Sequence, residues 1–364
     1  MRSLFLLLLT AIIVSCSKDE NTSFLWEKTG GEGVISFSMT TIDSMLLFSG
    51  SLTGSPYAFV TRKSGTKEFS YSPDISGVFT SCVEDSSGFF LAGSSEGELL
   101  LTRLNKEGEE VWTYSVNADA EIESATVLRL ADNSYIAVAS DHVDSVRYST
   151  FLIVYFDREG NIESTYEPSP GYKVAINDAA LGSGGELYFA LTKILAGAKT
   201  KASIGRFTSE GAKIWERELY NNPDFEAATL EIDVDETGNI YATGNTELSF
   251  EDELLMNSWV VALDPGGSVL WKNYLENSNS GEEISFDMYS SLLVMNMNCG
   301  IVNYISIPDG KVGNRLRVYD VCDPYDTAVK IYSMAVTPAG NYIMAGSKSG
   351  KVYYALRRGL IYDN

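Results

Sequence analysis

The residues in this sequence that could do chemistry are carboxylates. The 364 residues include 49 Asp and Glu against 27 Lys and Arg, a formal net charge of −22. The single histidine, His142, rules out catalysis by paired histidines and a His-rich zinc site. The acidic balance excludes the basic face that a nucleic acid requires. It confers solubility, and where carboxylates converge it attracts cations or cationic partners. Glu32, Glu123, Glu226 and Glu283 each stand just before a segment that reads as a β-strand, with Glu282 beside the last; Ser76 and Lys173 hold the same slot elsewhere. Gathered around one opening, such carboxylates can hold a cation or accept hydrogen bonds from sugar hydroxyls; spread apart, they are solvated surface.

A second set of candidates lies in long polar interruptions. His142, Asp144, Arg147 and Tyr148 fall in 141–149, and Glu247, Phe250, Glu251, Asp252 and Glu253 fall in 246–257, with 193–201 interrupting the strands between them. Loop length varies where function is added to a scaffold. A groove built from these loops is therefore the expected ligand site, with His142, Arg147, Tyr148, Phe250 and Glu251 as its contacts. Asp233-Val234-Asp235-Glu236-Thr237-Gly238 opens like a calcium-binding loop, but Gly244 stands where the loop needs its final Glu, so no metal is assigned. No spacing fixes an acid–base pair or an activated nucleophile, and no cofactor is implied. A binding protein is expected; the enzymatic alternative is a carboxylate-pair, glycan-active enzyme.

The elements that must position these residues repeat. Gly267 is followed four residues later by Trp271, Gly108 by Trp112 and Gly211 by Trp215; Gly160 has Ser164 in that place and Gly65 has Phe69. Each glycine sits in a polar turn between two apolar, strand-like runs. Self-similarity at about 36–54 residues, all of it strand-like, means an all-β repeat architecture. Successive units of strands A to D cover 34–71, 78–116, 124–167, 174–220, 228–275 and 284–319. A seventh, 329–358, has only three strands, and a lone Trp-bearing strand at 24–28 precedes the first unit. That lone strand completes the last unit, which closes a ring and leaves no open sheet edge. The expected fold is a seven-bladed β-propeller, a single domain over 24–364.

The Gly-x-x-x-Trp spacing resembles the quinoprotein-like (PQQ-like) propeller repeats, also found in the assembly lipoprotein of the outer-membrane Bam complex. The resemblance covers about residues 24–358 as a blade pattern. It implies a Trp that packs between neighbouring blades and, as an alternative to ligand binding, a scaffold role in an envelope assembly or transport complex. Arg2 and the apolar run 4–14 read as a signal peptide over 1–15, too short to span a bilayer. Ile13-Val14-Ser15-Cys16 resembles a lipobox with Cys16 as the lipidated residue, and Ser17-Lys18-Asp19-Glu20 resembles the export signal of Bacteroidota surface lipoproteins. The expected location is the outer membrane, on the cell surface. Of the other cysteines, Cys82, Cys299 and Cys322, at most one disulfide can form; Cys299–Cys322 is one candidate, and three buried thiols are the alternative.

Topology and tether together orient the molecule. The seven residues 17–23 span at most about 25 Å when extended. They lead into the start of a D strand, so the A–B and C–D turns should lie nearest the membrane. The B–C and D–A loops, with the glutamates and the long loops, should face away from it, toward a glycan or an envelope protein.

Overall fold

The computed structural model describes residues 24–42, 45–117, 122–141, 151–169, 171–195, 199–219, 226–250, 253–275, 285–289, 292–297, 301–317, 329–337, 340–349 and 351–357. Among them are strands and turns and no helix. Unit one holds β1 (Phe24–Ile42), β2 (Met45–Leu52), β3 (Ser55–Arg62) and β4 (Lys67–Tyr71). Unit two holds β5 (Val78–Asp85), β6 (Gly88–Ser95), β7 (Glu98–Asn105) and β8 (Glu110–Val116). Unit three holds β9 (Ile122–Arg129), β10 (Tyr135–Asp141), β11 (Phe151–Phe156) and β12 (Ile162–Tyr166). Unit four holds β13 (Val174–Leu181), β14 (Leu187–Ile194), β15 (Thr200–Phe207) and β16 (Lys213–Glu218). Unit five holds β17 (Ala227–Val234), β18 (Ile240–Phe250), β19 (Glu253–Leu263) and β20 (Val269–Leu275). Unit six holds β21 (Ser285–Tyr289), β22 (Leu292–Met297), β23 (Ile301–Ser306) and β24 (Val312–Arg317). Unit seven holds β25 (Val329–Val336), β26 (Tyr342–Lys348) and β27 (Lys351–Arg357).

Each unit is an antiparallel meander, and the arrangement is a β-propeller. The first strands touch one another in succession, β1 to β5, β9, β13, β17, β21, β25 and back to β1, so they form the inner wall. The sheets number six rather than the seven separate ones expected. The reason is β1. Residues Phe24 to Glu32 pair with β27, whereas Gly33 to Ile42 pair with β2, so hydrogen bonding joins units seven and one into a seven-stranded sheet, β25-β26-β27-β1-β2-β3-β4. The expected lone strand and first inner strand are therefore one strand, passing through Gly30, Gly31 and Gly33 with register shifts on both sides. Glycines without a Cβ let a strand bend in this way.

The core lies in slabs between successive units. Leu47, Val60, Phe79, Phe89 and Leu100 join units one and two, and Phe90, Trp112, Tyr135, Val154 and Phe156 join units two and three. Phe48 and Phe59 pack on Ile343, Val352 and Tyr354, so the two halves of the seven-stranded sheet face each other as neighbouring sheets do. Second strands are covered on both faces, which is why Phe89-Phe90-Leu91-Ala92 and Leu187-Tyr188-Phe189-Ala190 are unbroken apolar runs. Outer strands have one covered face and alternate accordingly, as in β4 and β12.

The repeated glycine and tryptophan do not meet within a unit. Four turn glycines seat on the aromatic residue of the unit before them: Gly108 on Phe69, Gly160 on Trp112, Gly267 on Trp215 and Gly310 on Trp271. At Gly160, with φ +87°, an added Cβ would lie 2.7 Å from both Trp112 and Tyr114; at Gly310, with φ +68°, it would lie 2.6 Å from Trp271. The indole N–H then donates to a carbonyl of the same turn: Trp112 to Arg158 O at 3.4 Å, Trp215 to Pro265 O at 3.3 Å and Trp271 to Ile307 O at 2.7 Å. In unit three, where Ser164 replaces the tryptophan, Pro168 packs on Gly211 and the Tyr155 hydroxyl donates to Ser209 O at 2.9 Å. The Gly-x-x-x-Trp spacing thus encodes a latch between units.

Candidate functional site

Between units two and three the latch is joined by a buried charge cluster. Asp85 ends β5 and opens the turn to β6, where it accepts hydrogen bonds from Ser87 N (2.7 Å), Ser87 Oγ (2.9 Å) and Gly88 N (3.0 Å). Its carboxylate is fully buried. Arg103 Nη2, from β7, lies 3.2 Å from Oδ1; Arg158 Nε, from the β11–β12 turn, lies 2.8 Å from Oδ2; and the Tyr135 hydroxyl, from β10, donates to Oδ2 at 2.7 Å. Burial alone would raise the Asp85 pKa, but the hydrogen bonds from Tyr135, Ser87 and Arg103 outweigh it and hold the carboxyl far below its ordinary range. Burial and the bond to Asp85 hold Tyr135 protonated. Neither group is poised to exchange a proton near neutrality. Arg103 also lies over the Phe90 ring, 4.0 Å from its centroid, and donates to Ser87 Oγ.

Beside the cluster a groove follows β8. One part, about 470 Å³, is lined by Ser87, Arg103, Val111, Trp112, Tyr114, Arg158 and Glu159. The next, about 400 Å³, is lined by residues 114–117 with Gly160 and Ile162. Tyr114 borders both parts, stacked on Trp112 with centroids 5.0 Å apart and planes 25° apart, and it is 45% exposed. The two adjoining shallow parts thus bring together an aromatic platform, a partly exposed arginine side chain, a hydroxyl and an exposed carboxylate.

Three more carboxyls stand on inner strands. Burial pushes Asp178 up to about 7 and Asp233 and Asp287 to about 6. Asp178 accepts from Ala179 N at 2.8 Å, Ile232 N at 3.1 Å and Thr126 Oγ1 at 3.4 Å, tying together units three, four and five. Asp287 accepts from Val336 N at 2.7 Å, tying unit six to unit seven. Ser81 does the same between units two and three, through Val127 N at 3.1 Å. Asp178, Asp287 and Ser81 thus bridge neighbouring units, whereas Asp233 accepts from Val234 N at 2.7 Å within its own unit. Among the described residues no three His, Cys, Asp or Glu side chains are placed to share a metal ion.

The structure places only part of the site expected from sequence. Glu32 lies in β1, its backbone paired with Lys351. Glu123 is exposed on β9, and its carbonyl accepts from Ser94 Oγ at 3.2 Å. Glu226 precedes β17, and its carbonyl accepts from Thr246 Oγ1 at 3.2 Å. His142, Arg147, Tyr148, Glu251, Glu283 and Cys16 lie outside the described residues, as do Cys299 and Cys322; Cys82 is buried in β5 and not in a disulfide. The segment 246–257 is not the loop expected. It extends β18 and β19 into a long hairpin, with Thr246 paired to Asn257 and Phe250 to Glu253. Glu247-Leu248-Ser249-Phe250 alternates and Leu254-Leu255-Met256 is a short apolar run, both strand patterns that the acidic residues between them obscured. The groove along β8 was missed because its parts are far apart in sequence. The available signs were Arg103 in a strand carrying the apolar run Leu99-Leu100-Leu101, and Tyr114 two residues after Trp112.

No protein-family model matches this sequence, and no curated protein does. Among solved structures the chain is similar to a crystal structure of a protein of unknown function from Bacteroides caccae, at 12% identity and a TM-score of 0.49, covering 76% of this chain and 94% of that one. A likeness at that level carries no argument about function, and the propeller arrangement rests on strand pairing and packing alone.

Proposed function

We propose that this protein is a non-enzymatic cell-envelope lipoprotein whose propeller binds a glycan in the groove along β8. The observation that carries the reading is Tyr114, half-exposed on Trp112 and flanked by Arg158, Glu159 and Ser87. An aromatic face packs against the C–H face of a sugar ring while polar groups at its margin pair with hydroxyls. We read the seven-stranded sheet as two blades that share β1, giving seven blades; the facing halves of that sheet and the closed succession of inner strands support this count. The Gly-to-Trp latch supports a PQQ-like repeat. The Cys16 lipobox and the acidic residues after it support anchoring at the outer membrane and exposure on the cell surface. With the C–D turns toward the membrane, the groove is reached from the rim rather than from the far face.

A protein partner is the second reading, as in a scaffold subunit of an envelope complex. It is favoured by apolar side chains half-exposed on successive outer strands: Val111 and Tyr114, Ile162, Ile214, Leu270 and Tyr274, and Val312. A glycan array probed with residues 17–364 and with the Tyr114→Ala variant separates the two. The glycan reading expects specific signals that fall at least tenfold in the variant while its fold is retained. Absence of any signal, or signals indifferent to Tyr114, would reject it in favour of the rim.

A further inference from the structure

We infer that the glycan bound along β8 carries a carboxylate, as uronic-acid sugars do, and that Arg158 is the residue that recognises it. This rests on the glycan reading above and adds the class of sugar. The first observation is that two arginines share one buried carboxylate. Asp85 is the carboxylate that Arg103 and Arg158 share, and it is fully buried, with hydrogen-bond donors from Ser87, Gly88, Arg103 and Tyr135 and the Arg158 Nε 2.8 Å away as an ion pair. The other carboxylate at this wall, Glu159, is exposed to solvent. Arg103 is 4% exposed, and its Nη1 has no hydrogen-bond partner. A buried guanidinium with an unused donor is costly unless the local field is balanced from elsewhere.

The second observation is where the cluster opens. The Arg158 side chain is 35% exposed; its Nε is held by Asp85, and the residue lines the same cavity as Tyr114. Two nitrogens of a guanidinium can face a carboxylate in a bidentate pair, a geometry that a neutral hydroxyl does not use. The other charged group at this wall is Glu159, exposed at the tip of the β11–β12 turn and therefore screened by water. Glu110, next to Val111 on β8, is engaged by the Tyr71 hydroxyl of unit one. The anion is thus drawn to the inner wall of the groove, with its ring on Tyr114. In a chain of net charge −22, a guanidinium open to the groove also selects among glycans, because the rest of the surface repels acidic polymers.

The test is titration of residues 17–364 with oligosaccharides of galacturonate, glucuronate, mannuronate and guluronate, each beside its carboxyl-reduced neutral counterpart. At least one uronate series is expected to bind at least tenfold more tightly than its counterpart, and added salt should weaken only the acidic member. Arg158→Met should erase that preference, and Tyr114→Ala should abolish binding of both members. Arg158→Lys keeps a cation beside Asp85, so it guards against misfolding, and it should retain part of the preference. If neutral counterparts bind as tightly as uronates, and Tyr114→Ala abolishes both, the glycan reading stands and the acidic-sugar proposal is overturned. If uronates are preferred but Arg158→Met and Arg158→Lys leave that preference intact in folded protein, the assignment of Arg158 is overturned. If no sugar in the panel or on the array binds, both fall.

Discussion

Alanine substitutions at the turn glycines should fall into ranks set by what lies opposite the missing Cβ. Gly54 and Gly185 have positive φ, +85° each, and nothing within 4 Å of an added Cβ. Replacing either costs only the left-handed backbone strain, about 1–2 kcal/mol. Gly267 has the same strain, and its Cβ would lie 3.2 Å from the Trp215 ring, close enough that the ring must yield by a few tenths of an ångström. Gly310 and Gly160 would place a Cβ 2.6 Å from Trp271 and 2.7 Å from Trp112. There the indole must leave its seat, and Trp271 then loses its bond to Ile307 O. Overpacking adds about 1–3 kcal/mol, giving about 2–5 kcal/mol in all for the latch glycines. Urea unfolding measures this as a shift of midpoint at constant slope. The expected order of loss is Gly54→Ala and Gly185→Ala smallest, Gly267→Ala intermediate, Gly160→Ala and Gly310→Ala largest. Equal losses across the series would refute the latch, because strain alone would then explain every value.

Two further outcomes concern charge. Asp85→Asn removes the counter-charge of a guanidinium that is 4% exposed, and the buried, unpaired Arg103 should cost about 3–5 kcal/mol in the same unfolding assay; a loss under about 1 kcal/mol would mean that Arg103 finds water or another partner. Stability should also fall as pH rises from about 4 to about 7. Asp178, Asp233 and Asp287 have folded pKa values above their ordinary 3.8, so across that window the folded state holds more protons than the unfolded chain. Each excess proton contributes a slope of about 1.4 kcal/mol per pH unit. Asp85, shifted the other way, lends stability that is lost only as pH drops below its ordinary value. Asp178→Asn should flatten the profile between about pH 5 and pH 7; an unchanged slope would show that Asp178 is not the group titrating.

The scaffold was legible in the sequence because it repeats. Trp112, Trp215 and Trp271 fall at a fixed distance after a glycine, and a period visible five times needs no contact information. The contact itself was not legible. Gly160 and Ser164 share a unit, yet Gly160 belongs to Trp112, 48 positions earlier. Hydrogen bonding joined two expected units because Gly30, Gly31 and Gly33 let one strand serve both, and nothing in a run of glycines distinguishes a bend from a break. The groove was invisible for the same reason as the latch. Asp85, Arg103, Tyr135 and Arg158 come from two units, and only the ring brings them within hydrogen-bonding distance. Loop length, the sign used instead, pointed to 246–257, whose backbone proved to be a hairpin.

The most direct measurement is amide hydrogen exchange on residues 17–364 with and without the best-binding array glycan. Exchange should slow at 112–117 on β8 and at 158–162 across the groove, and at no other outer strand. Protection that appears instead on the β18–β19 hairpin, or along the outer strands of several units together, would place the ligand elsewhere and contradict the assignment of the groove.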